Sequence, residues 1–251
     1  MSYVIHIPHD GDDGAAVEAA LAGLDPVPGL AGAEVVLLKP NLINASPFPV
    51  TSRAEFVRAV IRAMRARSDA AIVIGEGCGD ATSETPEIFT ALGFDQLARD
   101  EGVELLDLNH AELTETERPE CAVFPRMHLP EILFRSFVVS LPVLKAHTLA
   151  GITGAVKNMM GVCPPSHYAA GGWKKSCFHS RMQGSVADLY AHRPPDLSIM
   201  DASVGLRSSH LGGPPLSPPA NAVLAGTDAR EVDRAACGLL GMDWRDVGHL
   251  R

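Results

Sequence analysis

The stretch Glu34-Val35-Val36-Leu37-Leu38-Lys39-Pro40-Asn41 decides the fold class. Its apolar run is too short for a helix, carries two β-branched valines, and stops abruptly at a lysine and a proline. Continuous apolarity over so few residues suits a strand covered on both faces, as in a parallel sheet. A helical pattern follows. Ser52 stands as an N-cap with Glu55 three residues later, opening an amphipathic segment through Ala66, and a second apolar run spans Ala71 to Ile74. Strand, helix, strand with no hairpin turn between them is the mark of a crossover unit.

Further runs of the same kind are Val103 to Leu106, Ser136 to Leu141, Leu197 to Met200 and Ala222 to Leu224. Asp228 is placed to cap a helix from about Arg230 to Leu240, ended by Gly241. The expected fold is therefore α/β: a mostly parallel central sheet with helices on both faces, Rossmann-like and open, in a single domain over residues 1–251. Residues 163–183 (Pro, Gly, Ser and His) and 207–221 (proline-rich) break the rhythm and read as flexible loops, which in compact domains are usually functional. The polar segment ending at Leu250 and Arg251 leaves room for a further element beyond it.

Among 251 residues, 21 Lys plus Arg against 30 Asp plus Glu give a formal charge of −9, which argues against a nucleic-acid partner. No run is long enough to span a membrane; the longest candidate, Phe134 to Leu144, is broken by Arg135 and Pro142. The opening residues, Met1-Ser2-Tyr3-Val4-Ile5-His6, lack the basic segment and apolar run of a signal peptide. Five cysteines (Cys78, Cys121, Cys163, Cys177, Cys237) with no CxxC pair fit a reducing cytoplasm.

Ligands of open α/β sheets gather beyond the carboxyl ends of strands, so the polar residues closing each run matter most. They are Lys39 and Asn41; Glu76 within Gly75-Glu76-Gly77-Cys78-Gly79-Asp80; Asp107 and Asn109; Lys145 and His147; Asp201; and Asp228. The plainer reading makes them caps and turns. A lysine directly closing an apolar strand is different, because its ammonium must reach solvent or an anion.

The densest block runs Leu141-Pro142-Val143-Leu144-Lys145-Ala146-His147-Thr148-Leu149-Ala150-Gly151-Ile152-Thr153-Gly154-Ala155-Val156-Lys157-Asn158-Met159-Met160-Gly161. It reads as strand, polar turn and glycine-opened helix. Thr153 and Gly154 fall at the helix start, where free N–H groups favour an anion. Lys145, His147 and Lys157 would converge on a phosphate or carboxylate, although the glycines would also serve close packing alone.

This block, with Lys39-Pro40-Asn41 and with Gly226-Thr227-Asp228 followed by Asp233, resembles the DUF362 family, whose function is unassigned, in both motif and order from about Val35 to Gly241. Some members of that family carry an iron–sulfur module, which the cysteine spacing here does not provide, so no iron–sulfur cluster is expected. More distantly, the block is similar to the lactate-racemase family. That resemblance implies a metal-containing nucleotide cofactor, with Lys157 holding it and His147 and His167 as the proton-transfer pair.

Other readings are weaker. Cys163, His167, Cys177 and His179 share one loop but lack paired-ligand spacing, so no metal site is expected. Cys78, in a strand-to-helix turn, is a candidate nucleophile or an inert buried thiol. The glycine-rich turn matches neither nucleotide fingerprint, GxGxxG or GxxxxGK[ST].

The expectation is a site for a small anionic molecule with no cofactor specified. Lys39, Lys145 and Asn158 would orient the anion, and Asn41, Thr153, Gly154 and Lys157 would bind it. His147 would transfer a proton, and Glu76 or Asp201 would set its protonation or hold a metal. Whether such a protein is an enzyme or a carrier serving a redox partner protein stays open, and a symmetric homodimer is the common default.

Overall fold

The structure is a computed structural model that describes residues 4–251. Met1, Ser2 and Tyr3, on which the reading of the amino terminus partly rests, lie outside the described residues. The strands are β1 (Ile5–Pro8), β2 (Val35–Lys39), β3 (Ala71–Glu76), β4 (Glu104–Asp107), β5 (Leu113–Glu117), β6 (Arg126–Pro130), β7 (Phe137–Ser140), β8 (Val143–His147), β9 (Gly151–Thr153), β10 (Leu197–Leu206) and β11 (Ala222–Gly226). The helices are α1 (Asp13–Ala22), α2 (Ala54–Arg65), α3 (Thr85–Ala91), α4 (Phe94–Glu101), α5 (Ile132–Arg135), α6 (Ala155–Asn158), α7 (Pro165–Tyr168), α8 (Met182–His192) and α9 (Ala229–Leu239).

The main sheet runs β1-β11-β10-β7-β2-β3-β4, with β8 and β9 attached beyond β10. From β10 through β7, β2 and β3 to β4 every pairing is parallel, whereas β11 and β1 add an antiparallel edge. The expected mostly parallel α/β sheet is what forms. Its strands alternate between two cores: Leu37, Val138, Met200 and Leu224 face one layer with α8 and α9, and Val36, Leu38, Val139, Ile199 and Val223 face the other with α1 and α2. In α2 the residues Phe56, Val57, Val60, Ile61 and Met64 form the buried stripe. Burying each such side chain is worth about 1.5–3 kcal/mol, and this holds the helix to the sheet.

Local detail departs from the sequence reading where tertiary partners intervene. Ser52 does not cap α2: its hydroxyl accepts the Asn41 N–H at 2.8 Å and donates to the Leu141 carbonyl at 3.1 Å, and the helix starts at Ala54. Asp228 does cap α9, accepting the N–H groups of Arg230 and Glu231, and Gly241, with φ 68°, turns the chain just past its end. The loop 163–183 contains α7 and a further helical turn over Ser176–Arg181. The last parallel run extends well past Met200 to Leu206.

The feature that shapes the site is a split in the sheet. Strand β7 pairs with both β2 and β10, but after Leu141 donates to the Lys39 carbonyl (2.8 Å) the chain leaves β2. Pro142 has no N–H to continue the ladder. Its carbonyl accepts the Asp201 N–H at 2.9 Å, and β8 goes on alongside β10 and away from β2, with an irregular register between Asp201 and Leu206, its other edge taken by the antiparallel β9. A crevice therefore opens between the ends of β2 and β3 and the end of β8. It lies beside β2, where the strand order reverses, the place that topology predicts for ligands.

Candidate functional site

The crevice leads into a cavity of about 440 Å³, floored by Lys39, Glu76, Lys157 and Asn158 and walled by Asn41, Asn44, His147 and Thr153. The two interrupting loops contribute Trp173, Lys175 and His179 from one side and His210 and Leu211 from the other. Seven of the sequence candidates thus meet in one place: Lys39, Asn41, Glu76, His147, Thr153, Lys157 and Asn158.

Three candidates sit elsewhere. Lys145 lies behind Asn41, and its ammonium donates to the Asn41 side-chain carbonyl and the Val50 carbonyl, so it reaches neither solvent nor an anion. Gly154 opens a helix of one turn whose N-terminus is already filled: the Asp233 carboxylate accepts from Ala155 N–H at 2.6 Å and Val156 N–H at 3.0 Å. A Cβ at Gly154 would stand 2.1 Å from that carboxylate, so the glycine serves Asp233 and not a ligand. Asp201 accepts from Arg53 at 2.8 Å and from the Ser203 hydroxyl at 2.6 Å in a separate cluster with Asp13.

Within the cavity, Lys39 and Glu76 are a closed pair. Their charged atoms are 2.7 Å apart, Lys39 also donates to the Pro40 carbonyl, and Glu76 also accepts the N–H groups of Leu42 and Gly77. Gly161 makes room for the pair, since a Cβ there would lie 2.2 Å from Glu76 Oε1 and 2.5 Å from Lys39 Nζ. Asn158 spans the split in the sheet, donating to the Lys39 carbonyl and the Ser140 hydroxyl. Lys175 donates to Asn109 Oδ1 at 2.8 Å and the Cys163 carbonyl at 2.6 Å, and burial lowers its pKa to about 8.

Lys157 differs from all of these. It is only 7% exposed, yet its ammonium has no hydrogen-bond or ion-pair partner among the described residues. Burial, helped by the charge of Lys39, lowers its pKa to about 8. Three further polar atoms of the cavity lining are buried without a partner among the described residues: Thr153 Oγ1, His179 Nδ1 and His210 Nδ1. Unmet polar groups cost about 1–3 kcal/mol each, and three of the seven such atoms among the described residues line this cavity.

Burial keeps His147 and His210 neutral. His147 stacks on His210 with ring centres 3.9 Å apart, and its Nδ1 accepts the N–H groups of Leu149 and Ala150, both at 3.1 Å. The proton of the neutral ring is therefore on Nε2, which is left as a donor. Burial, with Lys157 adding repulsion, pushes the pKa of His147 down to about 2 and that of His210 to about 3. Such a ring is disfavoured as a cation and presents Nε2–H as its remaining donor.

The remaining readings separate on geometry. His167 stacks on His128 at 4.2 Å and does not line the cavity, so His147 and His167 do not form a facing pair. Among the described residues, the one cluster of three side chains with metal-ligating atoms in reach is Glu84, Asp107 and His110, outside the loop of Cys163, Cys177, His167 and His179. Cys78 is buried, its thiol donates to the Ser83 carbonyl at 3.3 Å, and burial raises its pKa, which suits an inert thiol.

Fold and site together define an open α/β protein with a lysine-lined cavity at its strand carboxyl ends. The chain belongs to the family described as "Domain of unknown function (DUF362)", whose profile matches residues 36–238. No curated protein matches the chain. Among the described residues no helix is long and apolar enough to cross a membrane.

Lysine usage held a signal that motif reading passed over. The chain has only five lysines, at 39, 145, 157, 174 and 175. Lys39, Lys157 and Lys175 line the cavity, Lys145 stands behind Asn41, and Lys174 is bound to the Asp80 carbonyl at its edge. The surface uses arginine instead, as in the Arg58, Arg62 and Arg65 pairs with Glu101. His179 and His210 were visible only as members of the two long loops.

Proposed function

We propose that the cavity binds a small anionic molecule, a carboxylate or phosphate ester, with Lys157 as its direct cationic contact. The observation that carries this reading is the buried Lys157 side chain, which lines the cavity with no partner for its ammonium among the described residues, beside the unmet Thr153, His179 and His210 atoms. A buried charge without a counter-charge is costly, and an anion that enters the cavity offsets that cost. The surrounding charge favours the same ligand: Lys39 is neutralised by Glu76, while Lys145 and Lys175 donate only to uncharged oxygens. His147 Nε2–H and the Thr153 hydroxyl supply hydrogen bonds that fix orientation. His147 serves as a neutral donor that polarises the ligand in this reading.

Isothermal titration calorimetry with oxalate and with inorganic phosphate tests the proposal. One of the two is expected to bind at a single site in the wild-type protein, and Lys157→Met is expected to abolish that heat. Binding of neither, or equal binding by the Lys157→Met protein, would overturn it.

A further inference from the structure

A cation whose only task is to hold an anion gains from staying charged, which an arginine, or a lysine ringed by acceptors, ensures. Lys157 has neither. It is an amine on a short helical turn, enclosed in a cavity with an N–H donor, a free hydroxyl and a stacked histidine pair. We propose that Lys157 is a nucleophile that forms an imine with an anionic aldehyde or ketone, an oxo acid or a phosphorylated carbonyl compound. The inference rests on the anion-binding reading and names the substrate class for it.

The chemistry needs no redox partner. The Lys157 nitrogen lone pair attacks the carbonyl carbon, a C–N bond forms, and the C=O π electrons move to oxygen. Transfer of a proton from nitrogen to that oxygen yields a carbinolamine. Loss of the hydroxyl with a second proton releases one water and leaves C=N, which takes a proton from solvent to become the iminium. His147 Nε2–H is the donor available to the carbonyl oxygen, since Nδ1 is held by the Leu149 and Ala150 N–H groups. Lowered basicity, caused by burial and then by Lys39, keeps a fraction of the amine neutral near pH 8, as nucleophilic lysines require. The ligand's own anionic group meets the field of Lys175, which lines the cavity without a carboxylate partner.

The test uses the full-length protein, glyoxylate as the carbonyl probe, cyanoborohydride to trap the iminium, and peptide mass spectrometry to locate the product. With only five lysines, four of them buried, the assignment is unambiguous, and Lys174 and the amino terminus act as internal controls. The expected result is a carboxymethyl group concentrated on Lys157, suppressed about tenfold by saturating oxalate, which occupies the site but has no carbonyl able to form an imine. Lys157→Arg keeps the charge and should lose the adduct while retaining oxalate binding. Oxalate binding without a Lys157 adduct, or adducts spread over Lys174 and the amino terminus, would overturn the inference and leave anion binding standing. Failure of both oxalate and glyoxylate to engage the cavity would overturn the two together.

Discussion

Two charged clusters stand near the ends of this sheet, and they have opposite characters. Around Arg53, every strong group is met: the guanidinium holds Asp13 with two nitrogens at 2.7 Å, Asp201 at 2.8 Å, and lies 5.0 Å from the centre of the Phe48 ring. Around Lys157, whose ammonium has no partner among the described residues, a hydroxyl and two imidazole nitrogens are buried and unmet. The first arrangement ties α1, α2 and β10 together; the second leaves its positive charge without a counter-charge among the described residues. A closed cluster argues for stability and an open one for ligand, even though both arise from polar residues at strand and helix ends.

The sharpest way to test that contrast is to remove each cation in turn. Arg53→Ala strands the nearly buried Asp201 and should cost about 3–5 kcal/mol in urea unfolding while leaving oxalate affinity within about twofold. Lys157→Met should do the reverse. Its ammonium titrates at about 8 in the fold against an ordinary 10.5, so its removal should stabilise the free protein at neutral pH by on the order of 3 kcal/mol and abolish oxalate binding. If both variants lose stability equally, the distinction between the clusters collapses.

A smaller effect is expected at His147. His147→Ala removes one donor to an anionic ligand and should weaken oxalate binding by about tenfold in calorimetry, the value of a hydrogen bond to a charged group. Protonation supplies the last test. Because the folded pKa of Lys157 is depressed, the unfolded chain binds more protons between pH 8 and 10.5, so free-protein stability rises with pH across that window. Lys175, also at about 8, acts in the same direction, and Lys145, at about 7, extends the window downward. Lys157→Met should flatten that rise by one proton, and oxalate affinity should fall as pH increases through about 8, where the ligand must find a proton for the amine. Affinity that is constant from pH 7 to 9 would detach the anion from Lys157.

Much of the architecture was legible because its cause is local. Continuous apolar runs such as Val35 to Leu38 suit a strand covered on both faces, and the residues closing the parallel strands fall at one edge of the sheet, whereas Asp228, after the antiparallel β11, falls at the other. Lys39, Glu76 and His147 were found in that way. The glycine-opened helix is short: its α-helical part spans Ala155–Asn158 and tightens into a 3-10 turn over Met159–Val162. The antiparallel hairpin β5–β6 escaped notice because Leu-Thr-Glu-Thr-Glu and Arg-Met-His-Leu-Pro carry little continuous apolarity. His179 and His210 come from loops without periodicity, so nothing in their neighbours points at the cavity.

The sequence by itself determined the α/β class, the edge of the sheet at which polar residues gather, and a lysine supply confined to 39, 145, 157, 174 and 175. Only the tertiary structure decided which of those charges are spent and which are open. Asp233 reaches the α6 N-terminus from 77 and 78 residues away, and Arg53 reaches Asp201 across 148. Contacts at such separations depend on how strands and helices pack, not on local spacing, so no short motif reveals that Gly154 and Asp201 are already engaged while Lys157 is not. The physical reason is that burial sets the worth of a charge, and burial is a property of the assembled fold.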